Sequence, residues 1–563
     1  MKRGVRFMSN LLLPLVIFSA FVNHLLTFMA YDWYDGIDGY SYDVCGLQLA
    51  SAEKFDLFPI FFRPPLIPIL KNILYLLFEG HPYSLIILIH ILGMAMAVLA
   101  YYLGNKFHKV VGFAMGMLVA LNLPMSVNFH HISTFTFFVP LLLLAAVSFI
   151  NWIKNPNWRA LTSLSLITSL CFLVRLETLI LIPVFAFFGA LAQRRIKPAV
   201  MFVMICLTIY NLTGFFYYKN FGYWGINYNK GWSLFTRVFR AKDKQFDINN
   251  GMASRKVQEY LSKEWPSRIK DIDFYRYQMF AFNLAQQEIG LLEADNLFWD
   301  ASLEAIRANP LKFTKFTLLR VLGQLDLYFY PGLKHKEFLG GAMETDSGHM
   351  WGFDENRMIE NKKRFKHWQP IISTLESPLK WERSLLKAKL LRFLGAKATM
   401  PPHPKSFQMM QIVRLNPSGR IEWLVCGDSN MSERLWYCRD LDVFFFLAYW
   451  GQKEWSRAAL NVLKFWDALL MPKEKVRINL HRIFWTFWIS GIFTIRPRWR
   501  SLSLLAFLSI VVFYAFCQAI FSDNFGGRFE LYMRPFLWLG ASCGVLASIE
   551  RWREKFKRKE LAD

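Results

Sequence analysis

"LTSLSLITSLCFLVRLETLILIPVFAFFGALAQRRIKP", residues 161–198, decides the fold class. Two apolar runs, near 160–175 and 177–193, meet at Arg175 and Glu177, and the second closes on the basic cluster "AQRRIKP" (192–198). A bilayer core asks for roughly 20 apolar residues per helix, fewer where the crossing is short. Basic residues gather at cytoplasmic ends of such helices. The stretch therefore reads as two membrane-crossing helices joined on the outer side and leaving by a basic inner connection.

The same grammar repeats along the chain. Apolar runs lie near 11–31, 83–103, 110–127, 133–152, 160–175, 177–193, 199–218, 478–495, 501–521 and 533–549. With the basic N-terminus inside, the inner connections are "GNKFHK" (104–109), "NWIKNPNWR" (151–159), "AQRRIKP", "RPRWR" (496–500) and the tail "RWREKFKRKE" (551–560). Each is basic, whereas the outer connection "NLPMSVNFHHIS" (122–133) has neither Lys nor Arg. Charge bias and parity agree on about ten spans with both ends in the cytoplasm. Hydrophobic residues make up 54% of the 563, too many for an ordinary soluble chain. The net charge of +24 sits largely beside apolar runs, so it is read as topology and attraction to membrane lipids, with no nucleic-acid partner. The first run begins like a signal sequence. It is too long for one and lacks a small-residue cleavage site, so an uncleaved spanning helix is expected.

This path divides the chain into a transmembrane module (1–219) with a first outer loop (32–82), an extracytoplasmic region (220–477), and C-terminal helices with a basic tail (478–563). The expected fold class is an all-α polytopic membrane protein with interfacial helices and a mixed extracytoplasmic region. In "ANPLKFTKFTLLRVLGQLDLYFYPG" (308–332), Lys312, Lys315, Arg320 and Asp326 interrupt an apolar pattern, which suits an amphipathic helix in the interface. "RAALNVLKFWDALL" (457–470) repeats that alternation, and "NPSG" (416–419) reads as the turn of a small hairpin. Cys171, Cys206, Cys517 and Cys543 lie in apolar runs as core residues. Cys426 and Cys438 form either a disulfide or two free thiols.

Chemistry points to the outer side. "DGIDGYSYDVCGLQLAS" (35–51) places Asp35, Asp38 and Asp43 among tyrosines and glycines just past the first span. Each acid read alone is a polar turn residue. Together, partly desolvated beside a cation, such carboxylates can accept a proton from an incoming nucleophile. Arg63 opens "RPPLIPIL" (63–70), with Lys71 following; its planar fork suits a phosphate headgroup, while Pro64 and Pro65 can also simply start a helix. Arg175 and Glu177 would diverge on one continuous helix and snorkel at the boundary, or help hold a headgroup. His130 and His131 read as interface anchors rather than as a metal pair, and no metal-ligand spacing or nucleotide-binding loop occurs. Arg528 and Arg534 run against the charge bias, which marks them as candidates for a role.

In these landmarks the chain resembles the polytopic glycosyltransferases of the GT-C fold, including the protein mannosyltransferases and the lipid A aminoarabinose transferases. The family's D-x-x-x-Y-x-x-x-[AG] pattern falls on Asp38, Tyr42 and Gly46, and its basic residue before Pro-Pro-Leu on Arg63. Its Leu-x-Arg falls on Arg175 with Pro183 beyond, and its late Arg-Tyr-like pair on Arg528-Phe529. The pattern covers roughly the first 220 and last 90 residues. It departs from the family at Gly39, where a second acid is frequent, and at His130-His131 in the second outer loop. The resemblance implies a polyprenyl-phosphate-linked sugar donor and a glycan, lipid or protein acceptor. It further implies inverting transfer on the extracytoplasmic face of a bacterial inner membrane. Asp38 would be the general base, with Asp35 as alternate; Tyr42, Arg63, Lys71, Arg175 and Arg528 would bind substrate. No cofactor is expected; a divalent cation stays possible but is not indicated. The rival readings are a transporter or flippase, and an envelope-polymer ligase or polymerase.

Overall fold

The first helix shows what solvent the chain is built for. In α1 (Lys2–Ala30), Leu11, Leu15, Phe18, Phe21 and Leu25 recur at helical spacing and are exposed, while Val16, Ala20, Asn23, His24 and Thr27 are buried. Water would invert this arrangement. Apolar side chains facing out and amide, imidazole and hydroxyl groups facing in are stable when the surroundings are hydrocarbon. The helix Lys197–Phe221 repeats it, with Val200, Met204, Leu207, Leu212 and Phe215 exposed.

The computed structural model describes residues 2–30, 42, 63–77, 82–122, 125–126, 129, 134–226, 230–239, 250–263, 282, 285, 288–325, 411–415, 421–425, 474–521 and 528–560. After α1 come α2 (Leu66–Leu77), α3 (Pro82–Asn105), α4 (Lys109–Ala120), α5 (Thr134–Lys154) and α6 (Trp158–Val174). A 3-10 turn (Leu176–Ile180) leads into α7 (Leu181–Gln193) and α8 (Lys197–Phe221). Four helices follow outside the expected spans: α9 (Lys230–Val238), α10 (Met252–Lys263), α11 (Leu291–Ala308) and α12 (Pro310–Gln324). The chain returns through strands β1 (Gln411–Leu415) and β2 (Ile421–Val425) to α13 (Glu474–Thr494), α14 (Arg498–Phe521) and α15 (Arg528–Glu560).

A helix lies in each of the ten apolar runs. Among the described residues, five helical stretches are long and apolar enough to cross a membrane: Ile87–Asn105, Thr134–Lys154, Leu176–Gln193, Lys197–Asn220 and Arg498–Cys517. Leu11–Thr27, Lys109–Ala120 and Trp158–Val174 are shorter apolar helices. The chain is thus a multi-pass, predominantly helical membrane protein. Boundaries differ from the sequence reading in two instructive places. α4 stops at Ala120, where Asn122 takes over as a local cap by accepting from Met125 N–H at 3.0 Å. α15 runs without a break from the last apolar run into the basic tail, since Glu, Lys and Arg sustain a helix as readily as Leu does.

The hairpin expected around "NPSG" is present: β1 and β2 pair antiparallel, with Leu415 opposite Ile421. Cys426, Cys438, His130, His131 and the stretch 457–470 lie outside the described residues.

Two cores organise the molecule. The larger is aromatic: Phe149 stacks on Phe185 at 4.4 Å, Trp152 on Phe202 at 6.0 Å, and Phe138 on Tyr514 at 6.0 Å, joining α5, α7, α8 and α14. α14 is the hub, touching α5, α7, α9, α12, α13 and α15. α13 and α15 approach closely because a Cβ at Gly544 would strike the Phe487 carbonyl and one at Gly540 the Trp488 indole. This small-residue seam was not singled out from the sequence.

The smaller core is built outside the spans from Trp232, Phe235, Phe282, Phe298 and neighbours. α11 holds it by capping two other helices. Asp295 accepts from Trp232 N–H in the first turn of α9 at 3.0 Å, and Glu304 accepts from Ala253 and Ser254 N–H in the first turn of α10 at 3.1 and 2.9 Å. The two acids are about two and a half turns apart, so they leave α11 on opposite sides. Each meets a helix N-terminus, where backbone donors lack partners and negative charge is favoured.

Candidate functional site

Contacts bring the end of α6, the starts of α2 and α5, and the last turns of α14 to one face of the bundle. It is also the face at which α1 ends.

At this face Arg63 lies over the ring of Tyr42, its guanidinium carbon 5.1 Å from the centroid, and Tyr42 is fully buried. Pro64 and Pro65 are buried beside it, and α2 opens directly after them, with Ile69 N–H donating to the Pro65 carbonyl at 3.0 Å. A proline lacks the donor that a first helical turn leaves unused, so this opening costs nothing. The prolines thus both start the helix and fix the backbone carrying Arg63. Two residues taken from separate sequence motifs are in contact. Lys71 lies on α2, with its side chain outside the described set, and Asp35, Asp38 and Asp43 also lie outside the described residues.

The Arg175 region departs from expectation. α6 ends at Val174, and Arg175 is extended (φ −146°, ψ 116°) before the 3-10 turn begins. On an unbroken helix Arg175 and Glu177 would point apart. The break turns them together instead, with Arg175 Nη2 donating to Glu177 Oε1 at 3.2 Å. Arg175 Nη1 also donates to Thr134 Oγ1 at 3.2 Å, and the guanidinium rests 5.8 Å from the Phe138 ring and 5.5 Å from the Tyr514 ring. Arg175 therefore ties α5, α6 and α14 together with its charge partly compensated. Neither residue snorkels freely, since their side chains are 15% and 32% exposed.

A third cluster was missed by sequence reasoning. His24 Nδ1 and His90 Nδ1 are 2.9 Å apart, edge-on to each other and, for His24, to Phe129. A bond between two ring nitrogens needs one of them unprotonated. One turn further along α1, Thr27 donates to the Asn23 carbonyl and contacts Ser126 Oγ at 3.0 Å, while Asn23 donates to the Ala120 carbonyl at 2.9 Å. The signal was available: Asn23 and His24 interrupt an otherwise apolar run, and buried polar groups in hydrocarbon must find partners.

The helices α9 and α12 dock on the end of α14. Arg237 Nε and Arg320 Nη1 both donate to the Ala519 carbonyl, at 2.7 and 3.3 Å, and both arginines are buried. Two cations at the carbonyl end of a helix complement its partial negative charge. Arg320, expected to interrupt an interfacial helix, instead points into this junction. Trp485 Nε1 adds a bond to the Leu325 carbonyl at 2.8 Å. Arg534 is buried, and Arg528 opens α15 with its side chain outside the described set. No group of three or more metal-ligating side chains occurs among the described residues.

No protein-family model and no curated protein matches the chain. Among solved structures it is similar to the crystal structure of ArnT from Cupriavidus metallidurans bound to undecaprenyl phosphate. The TM-score is 0.32 at 11% identity, over 68% of this chain and 72% of that one. So loose a superposition carries neither fold nor function.

Proposed function

We propose that this protein is a membrane glycosyltransferase of GT-C type that moves a sugar from a polyprenyl-phosphate donor to an acceptor on the extracytoplasmic face. The observation that carries the reading is the seating of Arg63 over buried Tyr42 at the mouth of α2. The two motifs that the resemblance requires to cooperate share one contact. The ten-span path, with both termini in the cytoplasm, belongs to the same proposal and puts this contact at the outer boundary.

In this mechanism Asp38 accepts the proton of the acceptor nucleophile, which attacks the anomeric carbon in line and inverts it. Asp35 is the alternate base. The anomeric carbon–oxygen bond to the lipid phosphate breaks, and Arg63, aided by Arg528, stabilises the charge gathering on the departing phosphate. Phosphate leaves readily, so no separate general acid is required. Lys71 and Arg175 would assist donor binding, Arg175 with a charge already shared with Glu177.

The test is release of polyprenyl phosphate from a sugar-loaded donor by protein in proteoliposomes. Asp38→Asn should leave expression and donor binding nearly intact and reduce turnover about 100- to 10,000-fold. Loss in Asp35→Asn instead moves the base by three residues. Full activity in both variants removes the carboxylate mechanism, and substrate uptake without release of polyprenyl phosphate assigns a transporter.

A further inference from the structure

The face of the bundle opposite the candidate site carries a second convergence of charge. The end of α5, the turn between α3 and α4, and the start of α14 meet around one indole. Lys154 Nζ lies 4.9 Å from the centroid of the Trp499 ring and the Arg500 guanidinium carbon 5.4 Å, while Phe107 packs against the same ring at 6.0 Å. Both cations thus sit within about one Debye length of each other, a range over which charges are felt at physiological salt.

Lys106 belongs to the same group. Partial burial, and secondarily the charge of Lys154, hold its ammonium below the usual lysine range. No carboxylate among the described residues forms an ion pair with Lys106, Lys154 or Arg500. The Arg500 side chain donates to the Arg496 carbonyl through Nη1 at 3.0 Å, and its Nε is buried with no partner among the described residues. Trp499 and Arg500 occupy the first turn of α14, a 24-residue helix whose free amides add partial positive charge at the same place.

Two side-chain cations on one indole, a third in the adjoining turn and a helix N-terminus together present positive charge suited to an anion. We infer that Lys154 and Arg500, which lie over Trp499, together with Lys106 next to Phe107 in the adjoining turn, bind the phosphate headgroup of an anionic phospholipid. The argument is charge complementarity combined with position. Trp499 is an amphipathic ring of the kind that settles at headgroup level, and the cluster lies where apolar helices end and basic connections begin. The site is independent of the transferase reading, because none of its residues belongs to the proposed chemistry.

Native mass spectrometry of the purified full-length protein, loaded with dioleoylphosphatidylglycerol or dioleoylphosphatidylcholine, tests this. The wild type should retain phosphatidylglycerol preferentially. A Lys154→Gln/Arg500→Gln double variant, shown to be folded by its thermal unfolding, should retain it roughly ten- to thirty-fold less while phosphatidylcholine retention stays unchanged. Unchanged phosphatidylglycerol retention in the double variant overturns the site. So does equal loss of both lipids, which marks a packing defect, and so does displacement by millimolar inorganic phosphate, which marks a free-anion site. Should the double variant fail to fold, Lys154→Gln alone and the wild type at raised ionic strength must both lose phosphatidylglycerol selectively, or the proposal fails.

Discussion

A guanidinium resting on an aromatic ring keeps its full charge, so the contact with Tyr42 positions Arg63 without neutralising it. If Arg63 serves the donor phosphate, Arg63→Ala should raise the donor KM or abolish turnover, and Arg63→Lys should rescue only partly because an ammonium lacks the paired donors of the fork. Unchanged donor kinetics in folded Arg63→Ala protein would reduce it to an anchor of α2. Arg175 is held differently, between Glu177, Thr134 and two rings. Glu177→Gln leaves that guanidinium short of its counter-charge in a half-buried place, a loss of about 1–3 kcal/mol. Thermal unfolding should show the loss, and Arg175→Met combined with Glu177→Gln should cost less than the two single changes summed. Additive costs would mean that the 3.2 Å pair contributes no coupling.

At the scale of elements, α11 ties the smaller core together because its two acids cap neighbouring helices on opposite sides. Their protonation acts in opposite directions. Burial drives Asp295 above the usual carboxylate range, against the N–H groups of Trp232 and Gly231. For Glu304 burial pushes upward too, but the Ser254 hydroxyl and the N–H groups of Ser254 and Ala253 outweigh it and hold the group below 4.5. A carboxylate with a depressed pKa contributes stability that is present above its unfolded value and is lost as the pH falls through its folded value. Asp295, with a raised pKa, favours folding most at low pH and loses that contribution as the pH climbs above 3.8. Glu304→Gln should therefore lower Tm at neutral pH, by the equivalent of about 0.5–2 kcal/mol for a weakened N-cap. The gap to wild type should close on acidification below 4.5. A gap that stays constant with pH would show that the carboxylate charge plays no part in the cap.

For the whole molecule, the proposed membrane orientation rests on charge bias and can be tested directly. Lys256 on α10 and Lys109 at the start of α4 are both exposed. A Lys256→Cys variant should react with a membrane-impermeant maleimide in intact cells, and Lys109→Cys only after permeabilisation; the reverse result would invert the path and move the candidate site to the cytoplasmic side. By itself the sequence determined the class of molecule, the position of a helix in each apolar run and the hairpin around "NPSG", and it singled out Tyr42 and Arg63, which the structure shows in contact. These follow from hydropathy, turn chemistry and motif order, which are properties of short stretches. Tertiary structure alone decided that Arg175 and Glu177 pair, because a helix break cannot be read from spacing that assumes no break. It alone united His24 with His90 and set Arg237 and Arg320 on one carbonyl of α14. It likewise gathered Lys154 and Arg500 around Trp499. In each case the partners come from different helices, and buried polar or charged groups are satisfied by whatever neighbour the packing delivers, which hydropathy along the chain does not encode.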